Sequence, residues 1–177
     1  MQLKILVTGP VGAGKTTAIA TIADKAPVET DEVATDSIAA IKKRTTVALD
    51  FGVVKLDEDD ELHLYGTPGQ ERFDFMWDIL SYGALGVLIM VDCTMPDAPK
   101  ELQKFVRHFR SLIQRTGLVV GLSHTDLLPG LDIDVYHDAL AAEDVRAPVL
   151  SLNAHSSQDV ALALESLVAT INPEIVS

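Results

Sequence analysis

A chain of 177 residues is long enough for one domain with a proper hydrophobic core, and a hydrophobic content of 47% excludes a disordered chain. A net charge of −12 and a pI near 4.6 exclude nucleic acid and anionic lipid as general partners, because a broad acidic surface repels phosphate. No stretch approaches the roughly 18 apolar residues of a membrane span, and the single cysteine, Cys93, forms no internal disulfide and fits a reducing cytoplasm.

In chain order, MQLKILV reads as the start of the first strand, over Lys4 to Thr8, rather than as a leader. Gly does not follow Met1 and no cysteine lies in the closing EIVS, so no direct lipid anchor is expected. A glycine-rich loop follows the strand, then a helix near Lys15 to Lys25. Residues 27–45 are mixed and polar, with a helical turn suggested in DSIAAIKK. Val47 to Leu56 and Leu62 to Tyr65 read as strands, antiparallel because only the acidic turn DEDDE separates them. Ala84 to Val91 is a continuous apolar run, as expected of a strand buried on both faces. One helix is expected from about Ala98 to Arg115, with Leu102, Phe105, Val106, Phe109 and Leu112 repeating at helical spacing toward the core. A strand over Leu118 to Leu122, a short helix over Asp134 to Ala142, a strand over Val149 to Leu152 and a helix over Ser157 to Ile171 complete the pattern. Alternating strands and helices predict an α/β fold, a mostly parallel sheet covered on both faces.

Gly9 to Thr16 matches GxxxxGK[ST] in full, between a predicted strand and a predicted helix. Glycines let backbone N–H groups turn inward around phosphate oxygens, and the helix start adds its positive end. Gly9, Val11, Gly12, Ala13, Gly14, Lys15, Thr16 and Thr17 are therefore candidate nucleotide contacts. Lys15 carries the charge for the β and γ phosphates, and the Thr16 hydroxyl is suited to Mg²⁺.

Four further stretches follow in a set order: RTTVALDFG, GTPGQERF, LSHTD and LNAH. Together with the loop they resemble the small Ras-like GTPases over nearly the whole chain. The GTPGQERF and SHTD forms are most similar to the bacterial and archaeal branch typified by the polarity switch MglA. The resemblance implies a three-layer P-loop NTPase fold with a six-stranded, mostly parallel sheet, in a single domain over residues 1–177. It implies GTP and GDP as ligands, Mg²⁺, slow hydrolysis, an effector protein and a regulator such as a roadblock-type activator.

Residue by residue, the resemblance gives Thr46 to Mg²⁺ and the γ phosphate, with Thr45 as the competing candidate. Gly69 offers its N–H to the γ phosphate, and Gln70 orients the attacking water. Asp126 accepts two hydrogen bonds from guanine, a donor pair that adenine lacks. Ala154 gives its N–H to the guanine carbonyl, and His155 follows it in the last motif. His124 either stacks on the base or is a surface histidine. The usual Asn-Lys-x-Asp is Ser123-His124-Thr125-Asp126 here, and the usual Ser-Ala-Lys is Asn153-Ala154-His155, which keeps an ATP-using P-loop enzyme open as an alternative.

Other departures bear on catalysis. Val11 stands where relatives keep a small residue, which implies slow intrinsic hydrolysis and leaves open a binding module that scarcely hydrolyses. Arg44 or Arg72 supplies an internal cation, or is a solvated surface arginine. The family has an aspartate for the metal's water shell where Gly66 stands. A hairpin centred near Glu58 places residue 50 opposite residue 66 or 67. Asp50 interrupts an apolar strand, where an unpaired carboxylate costs several kcal/mol. It is therefore expected to replace the missing shell, the alternative being an outward-facing residue on an edge strand. Exchanging the two by Asp50→Ala with Gly66→Asp is expected to restore part of the metal dependence. Phe73, Phe75, Met76 and Trp77 crowd the second switch and are expected to divide between core and an exposed docking patch.

Overall fold

The apolar runs fold as strands because each places alternate side chains on opposite faces, and both faces are covered. The computed structural model describes residues 1–24 and 49–171. Its strands are β1 (Gln2–Thr8), β2 (Asp50–Lys55), β3 (Glu61–Gly66), β4 (Gly86–Asp92), β5 (Leu118–Ser123) and β6 (Val149–Ser151). Its helices are α1 (Lys15–Ile22), α2 (Asp74–Ser81), α3 (Ala98–His108), α4 (Arg110–Arg115), α5 (Asp134–Ala141) and α6 (Ser157–Ile171). The six strands form one sheet in the order β2-β3-β1-β4-β5-β6, with β2 antiparallel to β3 and the other pairs parallel. This is the expected α/β P-loop NTPase architecture. The helical turn suggested in residues 36–43 and the candidates Arg44, Thr45 and Thr46 lie outside the described residues.

Two apolar layers sandwich the sheet. Leu6, Val87, Ile89 and Val91 face one layer with Met76, Trp77, Leu80, Leu102, Phe105 and Val106. Their neighbours Ile5, Val7, Leu88 and Met90 face the other, with Ala18 and Ile19 of α1 and Val160, Leu164 and Leu167 of α6. The period of two along β1 and β4 thus divides the core between helices on opposite faces.

The expected helix from Ala98 to Arg115 is interrupted at Phe109, whose ψ of 13° departs from helical geometry. The flanking hydrogen bonds persist, Phe109 N to Phe105 O at 3.0 Å and Ile113 N to Phe109 O at 2.9 Å, so the chain bends without unravelling. All five core positions expected on this stretch are buried. The crowded aromatic stretch forms the short helix α2, which burial divides as expected: Met76 and Trp77 are inside, and Phe75 is exposed. Cys93 is buried, and burial raises its thiol pKa, as befits an inert side chain. Among the described residues no helix is long and apolar enough to cross a membrane.

Candidate functional site

The loop between β1 and α1 turns where only glycine fits. Gly9 has φ +140°, and a Cβ there would stand 2.0 Å from the Met90 carbonyl oxygen of β4. The backbone therefore passes directly over the end of the neighbouring strand, a close approach that a side chain forbids. Gly12 and Gly14 also have positive φ, and Gly14 leads into α1. The Lys15 ammonium is folded back over this loop and donates to the carbonyls of Gly9 and Pro10, both at 2.7 Å. Burial draws its pKa down to about 8, against the opposing pull of the Asp50 carboxylate. A buried ammonium held at the start of a helix is suited to an anion of high charge.

The loop opens into a cavity of about 750 Å³ lined by Gly12, Ala13, Gly14, Lys15, Thr16 and Thr17 at one end. Its other end is formed by His124 and Asp126 after β5 and by Ala154 and His155 after β6. The fold so brings together residues more than a hundred positions apart, at the carboxyl ends of parallel strands, where open α/β sheets bind ligands. Ser123, Thr125, Leu152 and Asn153 line the same end and were not among the candidates.

This far end is braced by side chains. The Thr125 and Ser151 hydroxyls meet at 2.6 Å, joining the loop after β5 to β6. The Asn153 side chain accepts the His155 N–H at 3.0 Å, while Asn153 N–H donates to Asp159 of α6 at 2.9 Å. The Thr21 hydroxyl lies 2.7 Å from the Ala154 carbonyl, tying α1 to the loop after β6. His124 takes a left-handed backbone with φ +60°, uncommon for a residue with a Cβ, and its Nδ1 lies 3.3 Å from Asp92 Oδ1. These contacts set the shape of the slot, and among the described residues one carboxylate lines it, Asp126, whose side chain is exposed.

The remaining described candidates lie outside the cavity lining, beside Thr67, which was not a candidate. Thr67 donates its N–H to the Val7 carbonyl at 2.9 Å, and its hydroxyl meets that of Thr8 at 2.7 Å, both buried. Gly69 presses on the phosphate loop, since a Cβ there would stand 2.5 Å from Val11 N. Val11 itself is 60% exposed beside it. Gln70 and Arg72 are exposed and lie outside the cavity lining, with the Arg72 guanidinium stacked over the Phe73 ring at 4.7 Å. The segment is nonetheless anchored. Trp77 Nε1 donates to the Pro68 carbonyl at 2.7 Å, its ring packs on Phe105, and Glu71 pairs with Lys104 of α3.

Asp50 lies directly opposite Gly66 in the β2–β3 ladder, as the hairpin count predicts. Its Oδ2 accepts a hydrogen bond from the Thr16 hydroxyl at 2.6 Å, so the carboxylate points to the loop and not to the far side of the sheet. The exchange of Asp50→Ala with Gly66→Asp needs correction. A Cβ at residue 66 would stand 2.8 Å from the Asp50 Cβ, which alanine retains, and 2.9 Å from Ile19 Cδ1, so the exchange needs glycine at 50 and a shift of the flexible end of Ile19.

The family described as conserved hypothetical ATP binding protein matches residues 7–177. An uncharacterized protein of Methanocaldococcus jannaschii is 31% identical over 94 residues, 52% of this chain and 53% of that protein, so the chain spans about half its length. Ras-related protein Rab-1C of Dictyostelium discoideum is 26% identical over 176 residues, 97% of this chain and 81% of that protein. Ras-related protein RABD1 of Arabidopsis thaliana is 25% identical over 183 residues, 97% and 80% of the two chains. With the phosphate loop and the sheet order, the chain belongs to the conserved hypothetical ATP binding protein family of P-loop proteins, and it is similar in sequence to Ras-related proteins.

Proposed function

We propose that this chain is a small GTPase, a single Ras-like domain over residues 1–177, that switches between GTP-bound and GDP-bound forms and hydrolyses GTP slowly. The observation that carries the reading is the one cavity shared by the phosphate loop and by Asp126, His124, Ala154 and His155. In this reading Gly12 to Thr17 wrap the phosphates and Lys15 neutralises the β and γ oxygens. Asp126 accepts from the guanine edge, and the His124 ring lies on the base. Gln70 orients the water whose oxygen attacks the γ phosphorus, while the bond to the β–γ bridging oxygen breaks and GDP leaves with that oxygen. Gly69, already against the loop, offers its N–H to the γ phosphate. The exposed Val11 crowds an incoming cation or water, which keeps turnover slow. Arg44 and Arg72 are the cations within the chain that an ordered switch brings to the phosphates.

The residues present suit Mg²⁺, which keeps several waters and binds through a carboxylate, hydroxyls and substrate phosphates. Thr16 and Thr46 would hold it. When bound, it neutralises charge on the β and γ phosphates.

The forms GTPGQERF and SHTD support placement in the MglA-like prokaryotic branch, acting in the cytoplasm. The exposed Phe75 and the partly buried Phe73 beside the second switch support docking of an effector and of a regulator such as a roadblock-type activator.

Competition between GDP and ADP for the purified protein tests the reading. Preferential displacement by GDP is expected, and equal affinity for ADP would sink the GTPase assignment. A second reading, an ATP-binding P-loop protein, is favoured by the family's description and by the departures at Ser123-His124 and Asn153. It predicts the opposite outcome. A third, a nucleotide-binding module with little hydrolysis, is separated by a single-turnover GTP assay.

A further inference from the structure

The Asp50 carboxylate and the Thr16 hydroxyl are 2.6 Å apart, and they come from different elements. Thr16 is the second residue of α1, and Asp50 opens β2, an edge strand paired on one side only. In β2, residues 50 and 52 share a face, and a Cβ at Gly52 would meet Ile19 Cγ2 of α1 at 2.7 Å. That face is therefore pressed on α1, which sets Asp50 beside the start of that helix. Across the ladder, a Cβ at Gly66 would stand 2.8 Å from Asp50 Cβ and 3.3 Å from Asp50 Oδ2. The same Cβ would stand 2.9 Å from Ile19 Cδ1 of α1, so the Asp50 and Ile19 side chains together fill the volume that a side chain at 66 would need. Phe51, next in the strand, is buried in the apolar layer on the opposite face. Among the described residues no three acidic, histidine or cysteine side chains gather into a metal cluster. Among the described residues, Asp50 is the carboxylate that meets Thr16.

We propose that Asp50 is the protein's anionic contribution to a Mg²⁺ site at Thr16, delivered from the edge strand β2, so that the cation ties the start of β2 to α1. The inference rests on the nucleotide-binding reading above and adds a coupling to it. Residue 50 lies within a few positions of the first switch, so loading the cation and ordering the start of β2 become one event. Held by a single neighbour, an edge strand frays most readily at its ends, and a cation bridge there suppresses the fraying. The Gly66 position is left small because it must admit the Asp50 side chain together with the end of Ile19.

The test uses the full chain loaded with GDP, with nucleotide release followed against Mg²⁺ concentration. Asp50→Asn keeps an acceptor for the Thr16 hydroxyl and removes only the charge. The half-saturating Mg²⁺ concentration should rise about tenfold or more. GDP binding in chelator should be unchanged or tighter. Amide exchange at Phe51 to Val53 should slow when Mg²⁺ is added to the GDP-bound native protein, and not in Asp50→Asn. Moving the carboxylate by Asp50→Gly with Gly66→Asp should recover part of the Mg²⁺ dependence of release, without the exchange protection of β2. A native-like Mg²⁺ dependence in Asp50→Asn would overturn this inference alone. Failure of the native protein to bind either GDP or ADP would overturn both it and the reading on which it rests.

Discussion

The two ends of the cavity are built on different terms. At the phosphate end, one continuous stretch from Gly9 to Thr17 carries the backbone turn, the helix start and the charge. At the far end, the loops after β5 and β6 come from separate parts of the chain: the Thr125–Ser151 hydroxyl pair joins the first to β6, while the Asn153 turn and the Thr21 contact brace the second. Backbone amides at the phosphate end recognise charge and leave little choice of sequence. In the proposed reading, side chains at the other end recognise shape and hydrogen-bond pattern, a need that several arrangements meet. The departures from the Ras-like pattern in the two base motifs fall at this second end, while the phosphate loop matches its motif in full.

The strongest way to break the comparison is Lys15→Ala. The loop has no other charged side chain, so binding of GDP and of inorganic tripolyphosphate should both fall by about 10²-fold or more, measured by calorimetry. Undiminished binding would place the phosphates elsewhere. Gln70→Leu acts between the two ends. It should lower single-turnover GTP hydrolysis by about 10²-fold while leaving GDP affinity near native. An unchanged rate would pass the role of positioning water to Arg44 or Arg72.

At the far end the effects should shrink and become selective. Asp126→Asn should reduce the preference for GDP over ADP by about tenfold, the value of hydrogen bonds to a charged group, with tripolyphosphate binding intact. Thr125→Val removes one partner of the hydroxyl pair and should weaken GDP binding by a few-fold, on the order of 1 kcal/mol. If tripolyphosphate binding fell equally, the brace would serve the whole cavity rather than its base end.

The smallest effect on the site should come from Glu143, outside the cavity. Its carboxylate accepts from Arg107 Nε at 2.7 Å and Arg110 Nη2 at 2.8 Å. The Arg107 hydrogen bond, then the charges of Arg107 and Arg110, hold its pKa below the ordinary 4.5. A depressed carboxylate stabilises the folded state above its unfolded pKa, and that contribution is lost as pH falls below 4.5 through the lowered value. Arg107→Gln should therefore raise the pH midpoint of acid unfolding, followed by circular dichroism, and leave GDP affinity at pH 7 unchanged.

The Asp50–Gly66 pair shows how far sequence reasoning reaches when the relation is local. A short hairpin has few registers, so counting from its turn predicts the opposing residues. The strands and most helix bounds were legible for a similar reason, since each follows from the period of apolar residues. The bend at Phe109 was not, because Leu102 to Leu112 keep helical spacing straight through it. The helix over Asp74–Ser81 was read only as a crowd of aromatics. Its inward face is specified by Trp77 packing on Phe105 and donating to Pro68, contacts with no signature in the local spacing.

The sequence by itself determined the phosphate loop, the alternation that builds the sheet, and the register that sets Asp50 against Gly66. These depend on backbone geometry and on residues near one another in the chain. Only the tertiary structure decided that Asp50 turns to Thr16, that Thr125 meets Ser151, that Thr21 reaches the loop after β6, and that Arg72 lies over Phe73. Each of these is a choice among side-chain directions. Such choices are settled by close packing between elements brought together from distant parts of the chain.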